Sequence, residues 1–169
     1  SPEGSTVGWG GNIGDLALTA NATSLFTCIN VTGNSVFLSG DSALSYQVST
    51  SGAVAINGVK SNVYGSSAVK NALTTLVQQS RTHTLENEYN RVTTRAINAE
   101  AQITSGLSGV TLATAFPSGN SLADQLETVA RLIGARTALG NKRQVFLVSL
   151  GGFDLHDNLI AQHPGLLGK

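Results

Sequence analysis

The chain has 169 residues with ten Lys and Arg balanced by ten Asp and Glu, and 41% of it is apolar. That length and apolar content suffice for a hydrophobic core without staples, and zero net charge with only 12% charged residues argues against nucleic acid as a partner. Ser, Thr and Asn together number 48, beside 19 Gly, a polarity without charge that reads like an exported bacterial protein. No stretch approaches the roughly 18 apolar residues of a membrane span. No basic, apolar, small-residue leader opens the chain, and the absence of methionine implies that an upstream segment was removed.

Along the chain, the glycine cluster Gly8-Trp9-Gly10-Gly11 reads as a loop, followed by a short helix in which Ile13, Leu16 and Ala17 share a face. Trp9 is expected to plug the core, the alternative being an aromatic platform for a ligand. Residues 25–59 form short β-like runs divided by Thr32-Gly33-Asn34, Ser39-Gly40-Asp41, Ser51-Gly52 and Asn57-Gly58. Spacings this short predict an antiparallel ribbon. The lone Cys28, inside an apolar run, reads as a small buried hydrophobe.

Residues 66–104 contain neither Gly nor Pro and predict one long helix or two broken near Ser80. His83, Glu86, Glu88, Arg91 and Arg95 read as a solvated helix face with charge pairs three and four apart. Ser121 with Asp124 predicts a helix start, Leu122, Leu126, Val129 and Ile133 its buried stripe, and Gly140 its stop. The run 143–150, apolar on both faces, predicts a buried strand. The sequons at Asn21 and Asn30 are no more than chance supplies from 13 Asn among this many Ser and Thr, so they carry no glycosylation signal. The fold class is therefore mixed α/β in one domain. It subdivides into a β-rich part, 1–60, and a helical part with a core strand, 61–169, with the boundary within 57–67.

Chemistry concentrates where the predicted strand runs into Gly151-Gly152-Phe153-Asp154-Leu155-His156-Asp157. Ligands collect at the carboxyl ends of strands in open α/β sheets, and the two glycines let the backbone turn and approach a ligand closely. Extended backbone would put Asp154 and His156 on one face and Phe153 and Leu155 on the other, anchoring the loop in the core. Carboxylate plus imidazole suits a divalent cation, or a carboxylate that orients a catalytic histidine. His163 is a third candidate ligand, brought within range by a helix over 157–162. Ordinary loop polarity, with Asp157 as a helix cap, is the competing account of the same residues.

Three blocks carry a resemblance: Gly8-Trp9-Gly10-Gly11 with Asp15, the helix around Leu126-Glu127-Thr128-Val129-Ala130, and above all Arg143-Gln144-Val145-Phe146-Leu147-Val148-Ser149-Leu150-Gly151-Gly152-Phe153-Asp154-Leu155-His156. In order and separation they resemble the bacterial exported proteins of domain of unknown function 1501, which look like relatives of alkaline phosphatases and sulfatases. The resemblance implies a helix–strand–loop unit of a larger sheet, Asp154 and His156 as metal ligands, and a periplasmic or extracellular location. Leu155 stands where the family usually has Thr, and Asn12 where it has a basic residue. The family's flanking Gly-Gly-x-Asp-Gly and Asp-His-Gly motifs do not occur, so the chain is expected to be an interior segment of a longer protein.

With the carboxylate–imidazole pair, the resemblance implies a segment of a metal-dependent phosphate or sulfate ester hydrolase, inactive in isolation. Its cofactor would be a divalent metal (Zn, Ca or Mg) with no organic cofactor, its partners a small-molecule ester and, through an unpaired strand, a second copy. The alternative is a noncatalytic exported binding or structural module.

Overall fold

The computed structural model describes residues 4–33 and 35–168. The fold is mixed α/β: the described residues form six helices and one three-stranded parallel sheet ordered β2-β1-β3. The chain forms two compact units, one drawn from the described parts of Ser1–Gly52 and Gly106–Lys169, the other Ala53–Ser105.

The first unit holds the sheet. Strand β1 (Cys28–Asn30) is central, and pairs Cys28 with Ser45 of β2 (Ser45–Gln47) and with Val145 of β3 (Val145–Leu147). All three β1 residues are buried, and Cys28, Leu38 and Ala43 form a core cluster against Leu18, Val145 and Leu147. Cys28 is thus the small buried hydrophobe that its surroundings in the sequence imply. Burial, and secondarily the charge of Asp15, pushes its thiol pKa up.

The antiparallel ribbon is not formed. Residues 31–44 separate β1 from β2, enough for the crossover that parallel pairing requires, and they hold a 3₁₀ turn at Val36–Leu38 packed under helix α1 (Trp9–Ala17). Turn residues at 32–33 and 39–41 therefore shape a crossover instead of hairpins, Asn34 of the expected turn lying outside the described residues. Strand β3 also differs from its expected burial on both faces. It has β1 on one side only among the described residues, and Val145, Phe146, Leu147 and Val148 are half-buried.

Helix α1 absorbs the glycine cluster. Gly10, Gly11, Gly14 and Ala17 are its buried residues, and its glycines are in close contact: the Phe37 ring lies on Gly10, Cys28 Sγ on Gly14 and crossover backbone on Gly11, where a Cβ would stand 2.0 Å from the Ser39 carbonyl oxygen. Glycine's lack of a side chain, not its turn propensity, explains this cluster. Trp9 is consequently no core plug. It is 71% exposed, its ring tilted against Phe37 at 6.0 Å between centroids.

Two polar side chains lock this packing. The Asp15 carboxylate accepts backbone N–H groups from Ala43 (2.7 Å), Asp41 (2.8 Å) and Ser42 (3.0 Å), and these bonds, Ala43's foremost, hold its pKa below the usual carboxylate value. Asn21 fixes the approach to β3. Its Oδ1 accepts from Lys142 N (2.8 Å) and Arg143 N (2.9 Å), while Nδ2 donates to the Arg143 carbonyl and Thr27 Oγ1, both at 2.8 Å.

Helix α5 (Ser121–Gly134) begins one residue earlier than the expected Ser121 cap. Asn120 Oδ1 accepts from Leu122 N and Ala123 N, an N-cap that makes Ser121 the first helical residue. Its buried face is Ala123, Gln125, Thr128 and Leu132, whereas Leu126 and Ile133 of the expected stripe are exposed. Hydrogen bonds decide this orientation: Thr128 Oγ1 donates to the Asp124 and Thr50 carbonyls, and Gln125 engages the end of the β3 segment.

The second unit contains α2 (Asn57–Lys60), α3 (Ser67–Gln78) and α4 (Thr84–Leu107) save its last two residues. The Gly- and Pro-free stretch is therefore two helices. Buried Asn90 of α4 donates to the Gln79 carbonyl (2.8 Å) and the Leu76 carbonyl (3.3 Å), satisfying the end of α3. Lys60 pairs with Glu100, whose carboxyl pKa this bond lowers. His83 is exposed ahead of α4, and Arg91 makes two 2.7 Å bonds to Glu88.

Candidate functional site

Strand β1 lies between β2 and β3, and all three run parallel. The chain leaves β1 toward one side and reaches β3 on the other, so the carboxyl ends of β1 and β3 flank the position where the strand order reverses. Crevices there are the usual ligand sites of open α/β sheets.

The segments leaving β1 and β3 are tied together at this point. Val31 N donates to the Leu147 carbonyl (3.0 Å), and the hydroxyls of Thr32 and Ser149 bond to each other. Asn30, buried at the end of β1, accepts from Thr32 N (3.0 Å) and donates to the Gly33 carbonyl. From α5, Gln125 grips Ser149 at both backbone atoms, accepting from its N–H and donating to its carbonyl at 2.9 Å each. A side-chain amide with one donor and one acceptor imitates a neighbouring strand, so Gln125 extends the order of β3 to the threshold of the glycine loop. Sequence reasoning missed Gln125, Asn30, Thr32 and Ser149; a glutamine one turn inside an amphipathic helix gives no signal that it faces inward.

Beyond Ser149 the predicted site residues take these places. Gly152 has φ +91°, a left-handed conformation that favours glycine, whereas Gly151 has open space around it and no such requirement. Asp154 and His156 come together, with Oδ2 of the carboxylate 3.5 Å from Nε2 of the imidazole; their side chains are 93% and 88% exposed. The contact is an ion pair only when the imidazole is protonated. Phe153 does not anchor the loop in the core as alternation implied. It is 40% exposed and meets the ring of His163 edge-on at 5.8 Å; the Leu155 N–H bonds the Phe153 carbonyl (3.0 Å), so the segment is turned rather than extended.

His163 sits in helix α6 (Leu159–Leu167), which continues through Pro164. The helix is capped at Asn158, in a left-handed conformation and without a side-chain cap bond, rather than at Asp157. His163 does not join Asp154 and His156: among the described residues no group of three His, Cys, Asp or Glu side chains is placed to hold a metal ion. The pair nevertheless fits one edge of a coordination shell. Zinc bonds of roughly 2.0 Å to oxygen and nitrogen at tetrahedral angles put two ligand atoms about 3.3 Å apart, close to the 3.5 Å observed.

The two sequons are structural. Asn21 spends its amide on the hydrogen bonds to 27, 142 and 143, and Asn30 is 1% exposed. Among the described residues no helix is long and apolar enough to cross a membrane. Comparison with protein-family models, curated proteins and solved structures finds no match for this chain.

Proposed function

We propose that the 151–156 loop contributes two ligands, Asp154 and His156, to a divalent-cation centre of a phosphate or sulfate ester hydrolase-like protein that acts outside the cytoplasm, and that this chain alone does not turn over. The observation that carries the reading is the 3.5 Å approach of Asp154 Oδ2 to His156 Nε2, just beyond the carboxyl end of β3. A bound cation would supply Lewis-acid polarisation of an ester oxygen. The chain's own part is to present an anionic oxygen and a neutral nitrogen from one side. Gly152 supplies the backbone turn, and Gln125 holds the strand that enters it.

Two donors leave a catalytic zinc short of the three protein ligands it usually has, which is why turnover by this chain is not expected. The near-complete exposure of both side chains favours the second reading, a noncatalytic exported module. Chromogenic phosphate and sulfate esters with added Zn²⁺, Mg²⁺, Ca²⁺ or Mn²⁺ test the proposal on the parent and on Asp154→Ala. No turnover by either is predicted. Turnover abolished by Asp154→Ala would refute the inactivity and keep the site; turnover indifferent to that change would refute both.

A further inference from the structure

Helix α1 carries its amphipathicity reversed. Its small residues face inward, while Trp9, Ile13 and Leu16, spaced as i, i+4 and i+7, form a row on the outside; Leu16 is 86% exposed. Surface helices ordinarily direct such a row at the core, and an exposed row of large apolar side chains marks an interaction surface. Val36 and Phe37, partly exposed, continue it at the Trp9 end.

At the Leu16 end the row opens into a groove of about 520 Å³, whose other wall is Lys142, Arg143, Gln144 and Val145. Neither cation pairs with an acid among the described residues, and three bonds from Asn21 hold their backbone in place. The acid of α1, Asp15, is occupied by the N–H groups of 41–43.

This combination selects the occupant. A second copy docked face to face would bring Lys142 and Arg143 toward their own counterparts, and like charges across an interface are costly. A purely apolar partner would leave both cations unpaired. Tryptophan and leucine on one helix face beside basic residues are the chemistry of a protein lying on a membrane surface. We propose that this face docks on an anionic phospholipid bilayer, with Trp9, Ile13 and Leu16 entering the boundary between headgroups and acyl chains and Lys142 and Arg143 meeting the anionic headgroups. Three apolar side chains and two cations make the attachment reversible and sensitive to salt. It is independent of the cation site.

The chain contains one tryptophan, so Trp9 emission reports on this face alone. The probes are vesicles of equal parts phosphatidylcholine and phosphatidylglycerol, and vesicles of phosphatidylcholine only. A blue shift is expected with the anionic vesicles and much less with the neutral ones. Affinity should fall about fivefold for each of Lys142→Ala and Arg143→Ala, and at least about tenfold for Leu16→Ser, with circular dichroism unchanged because all three side chains are exposed. Absence of a shift with anionic vesicles would overturn the proposal and leave the face to an acidic protein. So would equal shifts with both lipids, or undiminished affinity in the Lys142→Ala/Arg143→Ala variant.

Discussion

Close packing of α1 on β1 makes a definite demand on Gly14. A Cβ there would lie 2.2 Å from Cys28 Sγ and 3.2 Å from the Ala43 Cβ, but 4.0 Å from the Cys28 Cβ. Non-bonded heavy atoms settle near 3.5–4.0 Å, so the sulfur must yield by more than about 1 Å, and Cys28 is wholly buried against Leu38 and Ala43. Overpacking of this kind costs about 1–3 kcal/mol, whereas Gly→Ala inside a helix returns about 1 kcal/mol. Gly14→Ala alone should therefore destabilise by up to about 2 kcal/mol. Cys28→Ala alone removes one buried heavy atom and should cost about 1 kcal/mol.

In the double variant the new methyl occupies space that the sulfur has vacated, at an ordinary distance from the Cys28 Cβ, with only Ala43 asked to shift by a few tenths of an ångström. Gly14→Ala should then be neutral or stabilising by up to about 1 kcal/mol. The expected coupling is about 1–3 kcal/mol, the range for residues in contact, with the double variant more stable than the sum of the singles. Urea unfolding of the four proteins followed by circular dichroism measures it. Additivity within about 0.5 kcal/mol would refute this account of why α1 is built from glycines.

Further consequences concern the polar locks. The Asp15 pKa is depressed from its ordinary value near 3.8, so its stabilisation is fully present above that value and is lost as pH falls through the lower folded-state pKa. Asp15→Asn should accordingly melt at lower temperature than the parent at pH 6, and the gap should narrow progressively as the pH falls below 3.8; a gap that does not narrow in acid would contradict the carboxylate's role. Asn21→Ala removes four hydrogen bonds and should cost about 1–3 kcal/mol, read from urea midpoints. Gln125→Leu strips the Ser149 backbone N–H and carbonyl of their bonds to Gln125, so hydrogen exchange at the Ser149 amide should accelerate at least about tenfold, while unchanged protection would show that the loop holds its own position.

What the sequence disclosed depended on whether a pattern had one physical cause. Stretches free of Gly and Pro gave the long helices, and Cys28 in its apolar run gave a buried position. Glycines misled because a turn and a close helix contact both select them: Gly10, Gly11 and Gly14 are close-packed helix residues, while Gly33, Gly52 and Gly152 are turns with positive φ. The inward faces of α1 and α5 were illegible for a related reason. One is lined with glycine and alanine and the other with Gln125 and Thr128, and a hydrophobic stripe points the wrong way when the core-facing side is chosen by contact distance or hydrogen bonding. Parallel pairing was hidden because strands of three residues leave too little periodicity to reveal their direction. At the site, Asp154 and His156 do come together, but through a turn closed by the Leu155 N–H on the Phe153 carbonyl and not by the alternation of an extended segment, and the place of His163 depended on α6 continuing through Pro164, against the usual effect of proline on a helix.

The central claim is that Asp154 and His156 act together as cation ligands, and isothermal titration of Zn²⁺ into the parent, Asp154→Ala and His156→Ala tests it most directly. Both side chains are almost fully exposed, so neither substitution should disturb the fold. Two donors without a third predict weak binding, micromolar or poorer. Loss of the binding heat in both variants is the predicted result. Heats identical to the parent's in His156→Ala or in Asp154→Ala would contradict the claim and return the loop to ordinary surface polarity.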